Sequence, residues 1–250
     1  MKLGRRGDGT ARDPEAHMTL IEHLAELRSR IITSVLAVTA GAVVAFWQYE
    51  PIIDWLSGPY CEIRPDAECV FLQTDPLESF GVRITVAVYT GLALAMPIVL
   101  FQVWRFITPG LHPREKRYAV PFVTAGVVLF VLGAGLAFWT VPKALDFLVS
   151  IGGDQFEQFF SGSAYLSFLV KMMVGFGIGF EFPILLVFLQ IAGILSPDQL
   201  AGIRRYAIVG IVTLVAVITP SGDPISLAIL SVPMYLFFEA SIVIGRLLRR

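Results

Sequence analysis

Six long, predominantly apolar runs dominate this sequence: residues 31–49, 84–107, 119–141, 165–191, 206–218 and 225–245. A chain in lipid must satisfy its own backbone polar groups. A run of about 20 apolar residues therefore reads as a helix spanning about 30 Å of hydrocarbon. Four runs have comfortable length and the sixth is adequate. The fifth, at 1.5 Å per residue, reaches only about 20 Å, so it is a buried half-helix or a span in thinned bilayer. Composition agrees. Apolar residues are 56% and charged residues 16% of 250, against about 45–50% and 25% in soluble domains, and mean hydropathy is +0.73. A soluble domain, a disordered chain and a disulfide scaffold are all excluded; only 2 cysteines are present.

The charges flanking the runs set a sidedness. Lys2, Arg5, Arg6, Arg12, Arg28 and Arg30 precede the first run. Arg105, Arg114, Lys116 and Arg117 follow the second, Arg204 and Arg205 the fourth, and Arg246, Arg249 and Arg250 the last. Arg64, Arg83 and Lys143 fall on the other side, with Lys171 in or near the fourth run. The positive-inside rule places both termini in the cytoplasm. That requires an even number of crossings, so the short fifth run counts as one. The expected fold is an all-α membrane protein of six transmembrane helices. Residues 1–17 form a mobile cytoplasmic tail and 18–250 one membrane domain, with a cytoplasmic interfacial helix at 18–30 that feeds into the first crossing and outside loops at 50–80 and 142–164, the latter reading as a helix lying along the interface or capping the bundle. No cleaved signal peptide is expected, because no small-x-small site follows the first apolar run. Arg5-Arg6 reads as part of the basic tail.

Most chemistry is missing. His17, His23 and His112 lie in or beside cytoplasmic segments, which counts against an intramembrane Ser–His hydrolase at Ser163. Gly175, Gly177 and Gly179 sit in no βαβ unit and read as a small-residue helix face. There is no phosphate loop, and a net charge of −1 gives no sign of a nucleic-acid partner. No enzyme activity, cofactor or metal is expected.

Five sets of polar residues remain. Glu181 lies deep in an apolar run, where an acid is a functional candidate by default, with a polar group on another helix as its expected partner. Glu239 lies in the last run nearer the cytoplasmic end, where a structural role is favoured. Asp223 occupies the turn Pro220-Ser221-Gly222-Asp223-Pro224, an ordinary place for Asp. Cys61 and Cys69 share the first outside loop and could close a small disulfide in an oxidising compartment. At the amino end, Leu20, Leu24, Leu27 and Ile31 recur at helical spacing, and Thr19 with Glu22 fits a capping box. This brings Glu26 to the membrane surface. Glu115, in the first cytoplasmic loop, lies at the same level. Each acid sits among bases, so the two either neutralise a basic face or stand available to guanidinium groups.

In order, these segments resemble the TatC family, the multi-spanning receptor subunit of the twin-arginine protein translocase. The carriers are His23-Leu24-Ala25-Glu26-Leu27-Arg28, Phe106-Ile107-Thr108-Pro109-Gly110-Leu111 and Glu115-Lys116-Arg117. They continue with Gly177-Ile178-Gly179-Phe180-Glu181-Phe182-Pro183 and Ser231-Val232-Pro233-Met234-Tyr235-Leu236-Phe237-Phe238-Glu239. The resemblance implies a receptor in the cytoplasmic membrane for folded precursors whose leaders carry two consecutive arginines. Glu26 and Glu115 would receive those arginines, with Leu27, Arg28, Phe106, Leu111 and Arg114 shaping the site. Glu181, with Glu239, would belong to the intramembrane face where single-span TatA- and TatB-type subunits dock. Pro59, Asp75 and Asp223 match outside positions that matter to assembly. The resemblance further implies a homo-oligomer within a larger complex, driven by the proton gradient. The tail departs from the family's short start and carries no inferred role. The competing reading is a proton-coupled small-solute transporter using Glu181.

Overall fold

The computed structural model describes residues 20–63, 71, 73, 75–107, 119–152, 161–219 and 223–248. They form helices α1 Leu20–Trp47, α2 Tyr49–Ile63, α3 Glu78–Ile107, α4 Ala119–Gly152, α5 Gly162–Ile191, α6 Pro197–Gly202, α7 Arg204–Ile218 and α8 Pro224–Leu248. There is no strand among the described residues. Five of these helices are long and apolar enough to cross a membrane: α1, α3, α4, α5 and α8, with mean hydropathies of 1.8–2.2. Each corresponds to one of the sequence runs. The fifth run becomes α7, whose 15 residues reach about 22 Å.

Long-range contacts set the directions. Arg30, near the start of α1, meets Gln102 near the end of α3, while Arg83 at the start of α3 meets Phe46 at the end of α1. These two helices are therefore antiparallel. Phe122 at the start of α4 packs on Phe188 at the end of α5, and Gln190 on α5 donates to the Ser241 carbonyl late in α8. Helices α1, α3, α4, α5, α7 and α8 thus alternate in direction. The starts of α1, α4 and α7 gather at one end with the finishes of α3, α5 and α8.

Helix α5 is the centre of the fold. Tyr165, Leu169, Met172, Phe176 and Phe180 are all buried on it, and it packs on α3, α4, α7 and α8. By contrast α1 is buried over only 6% of its apolar window and leans chiefly on α3. That contact is backbone on backbone. A Cβ at Gly41 would sit 2.7 Å from the Gly91 carbonyl oxygen, and one at Gly91 would collide with the backbone of Ala42. Small residues let helices approach closely enough for dispersion and weak polar contacts where no hydrophobic force acts between them.

Three local features refine the sequence reading. The segment before the first run is continuous with it, as α1 runs unbroken from Leu20 to Trp47. Helix α4 likewise continues through Pro142 to Gly152, so the helix expected at the start of the second outside region is a continuation of α4. Residues 49–63 form α2, although Glu50 and Asp54 make the segment look like polar loop. Ile52, Leu56 and Tyr60 recur every fourth residue and bury against the bundle, held by the Tyr165 hydroxyl donating to the Leu56 carbonyl at 2.9 Å. Pro59 lies inside α2 and is buried.

Candidate functional site

The site grows from the antiparallel α1–α3 pair. Helical spacing puts Glu26 and Arg30 on one face of α1, and Arg30 Nη2 donates to Glu26 Oε1 at 2.9 Å. The same guanidinium reaches α3, where Nη1 donates to Gln102 Oε1 at 3.1 Å. One turn toward the amino end, His23 stacks on Phe106 with ring centroids 4.4 Å apart. The Glu26 side chain is 17% exposed. Its second oxygen, Oε2, is buried with no hydrogen-bond partner among the described residues, as is Arg30 Nε. A half-paired carboxylate at a helix–helix junction still has room for a cationic donor.

Of the residues predicted for this site, Glu26 and Phe106 come together at the α1–α3 junction, and Leu27 is half-buried on α1. Arg28 is exposed, while Arg30 is the base that touches Glu26. Arg30 and Gln102 were missed. The i,i+4 spacing of Glu26 and Arg30 is visible in the sequence, but no local pattern links either to Gln102. Glu115, Leu111 and Arg114 lie outside the described residues.

At the same end of the bundle, Glu239 on α8 grips Arg204 at the start of α7. Arg204 Nε and Nη2 donate to its two oxygens at 2.6 and 2.9 Å, and the Tyr235 hydroxyl donates to Oε1 at 3.1 Å. This bidentate fork accounts for Glu239 as a structural group joining α7 to α8. Glu181 differs. Its Oε1 is buried with no hydrogen-bond partner among the described residues, so the expected polar partner on another helix is not found there. It faces Gly126 of α4 instead, where an added Cβ would stand 3.0 Å from Oε2. Lys171 is exposed. An apolar cleft of about 370 Å³ opens nearby between α3, α4, α5 and α8, lined by Trp104, Phe122, Pro183 and Phe237.

The residues predicted for the outside loops play local parts. Asp223 is 3% exposed and accepts from the Ser226 amide at 2.7 Å, capping α8. Asp75 accepts from the Leu77 amide at 2.7 Å, just ahead of α3. Short polar side chains stabilise helix starts by taking up orphan amides. Asp223→Ala should therefore lower stability by about 1 kcal/mol, read as a lower melting temperature in detergent. Cys61 is disulfide-bonded; Cys69 lies outside the described residues. No group of three or more potential metal ligands occurs among the described residues.

Comparison with known proteins places these features in a family. A family model described as Sec-independent protein translocase protein (TatC) matches residues 22–233. The Sec-independent protein translocase protein TatC of Aquifex aeolicus is 38% identical over 236 residues, covering 93% of this chain and 97% of that one. Its counterpart in Frankia casuarinae is 36% identical over 241 residues, covering 92% of this chain and 66% of that longer one. A crystal structure described as the twin arginine translocase receptor TatC superposes with a TM-score of 0.76 at 37% identity, covering 92% of this chain and all of that one.

Proposed function

Because the chain belongs to the TatC family of Sec-independent protein translocase proteins, we propose that it is the receptor of its translocase. In this reading it captures leaders carrying two consecutive arginines at the membrane's cytoplasmic face. The observation that carries the reading is the Glu26 carboxylate, held at the α1–α3 junction with one oxygen unpartnered among the described residues. A guanidinium is a planar fork that binds a carboxylate through two parallel bonds, which an ammonium lacks. Glu115, in the loop directly after α3, supplies the second acceptor. The family role is transport, and none of the site groups described is arranged for bond chemistry.

All six alternating helices cross the bilayer, α7 in a thinned region, and both termini face the cytoplasm. The clustering of Arg30, Arg105, Arg204 and Arg246 at the ends of helices that gather on one side supports this orientation. So does the Cys61 disulfide at the opposite end, because disulfides persist in oxidising compartments. The membrane is the cytoplasmic one. Single-span TatA- and TatB-type subunits dock on the intramembrane face near Glu181, several copies of the chain share one complex, and the proton gradient drives export.

Photocrosslinking in membranes tests the receptor. A precursor with consecutive arginines should crosslink to the chain, and one with consecutive lysines should crosslink at least tenfold less. Equal labelling overturns the proposal. The purified chain in liposomes should move no small solute without single-span partners; uptake coupled to protons would favour the transporter reading of Glu181.

A further inference from the structure

The receptor carboxylate is not empty at rest. Arg30 stands 2.9 Å from one oxygen of Glu26, and its guanidinium is shared with Gln102 on the neighbouring helix at 3.1 Å. The hold on Glu26 is single-pronged. Glu26 Oε2 and Arg30 Nε are both buried and unpartnered among the described residues, so neither fork nor acceptor is saturated. A structural ion pair at the same end looks different, since Glu239 takes Arg204 through both oxygens.

We propose that Arg30 is a resident counterion, standing in for a leader arginine at rest and moving onto Gln102 when the leader arrives. The inference rests on the reading of Glu26 as a receptor carboxylate. An incoming guanidinium aligned with both oxygens makes two charge-assisted bonds where Arg30 makes one. Arg30 then needs an acceptor, because a partly buried cation stripped of its partner is costly. Gln102 is that acceptor, already in contact and 9% exposed. Arg30 and Gln102 are thus positioning residues. They keep the carboxylate aimed while the site is vacant, and they set how strongly a visiting leader must bind to displace the occupant. A visiting lysine offers one bond for the one it displaces and gains little.

The test measures binding of a labelled peptide with consecutive arginines and an apolar segment to the full chain in lipid nanodiscs. Arg30→Gln should bind the peptide roughly twofold more tightly, since no occupant need be displaced. Arg30→Lys should fall between it and the parent. Gln102→Leu should bind more weakly by a similar factor, because Arg30 then has nowhere to go. In the double variant the Gln102→Leu effect should vanish, leaving the tight binding of Arg30→Gln alone. A purely structural role predicts weaker binding in all four. Binding by Arg30→Gln or Arg30→Lys no tighter than the parent overturns the inference, as does a Gln102→Leu loss that persists in the double variant. If the parent itself binds no peptide, the receptor reading fails, and this one with it.

Discussion

Loss of leader capture is the expected result when Glu26 and Glu115 are both replaced by alanine. A hydrogen bond to a charged group contributes about 1.5–3 kcal/mol, so removing both acceptors should weaken binding by roughly a hundredfold or more. Each single variant should lose about tenfold or more. Glu22→Ala should lose much less, because Glu22 is exposed on α1 and Glu26 is the acid turned onto α3. Precursor crosslinking in membranes decides the matter, and undiminished labelling of the double variant refutes the carboxylate pair. The resting Glu26–Arg30 contact does not protect against this loss. It is an i,i+4 pair using one oxygen, of a kind that contributes only about 0.3–0.5 kcal/mol.

The second large effect is expected far from any charge. Gly91→Val drives two methyl groups into the backbone of α1 at Ala42. Neither backbone can yield without the helices parting. Overpacking of this kind costs about 1–3 kcal/mol, a fall of roughly 5 °C in melting temperature for a chain of this size. Binding should fall as well, because separating α1 from α3 pulls Arg30 from Gln102 and His23 from Phe106. Gly81→Ala on the same helix is the control. A Cβ there meets nothing within 4 Å, and alanine in a helix is neutral or mildly stabilising. A melting temperature for Gly91→Val equal to that of Gly81→Ala would remove the close crossing as a cause of stability.

Much of the architecture was legible in the sequence, and for a specific reason. An apolar run and its flanking charges are contiguous along the chain, so each of the five long helices could be located, with one of its ends placed to within two residues. Asp223 was legible as a turn residue because capping is also local, involving a side chain and an amide three positions away. Helix α2 was not. Its acids sit on one face and its buried Ile52, Leu56 and Tyr60 on the other, and the average over the segment hides the pattern. The breadth of α1 and α4 was also underestimated, since both continue beyond the apolar run that marks them.

Residue order along the chain was enough to fix a bundle of long apolar helices. It also determined that acids sit on α1, α5 and α8 and that small residues line some helix faces. Those outcomes follow from partitioning and helix propensity, which act on neighbours in the chain. Tertiary structure alone decided which polar groups meet. It gave Glu239 to Arg204, left Glu181 opposite Gly126, and joined Arg30 to Gln102 across 72 positions of sequence. Helices in lipid choose partners by the fit of their surfaces, and that fit depends on residues far apart in the chain.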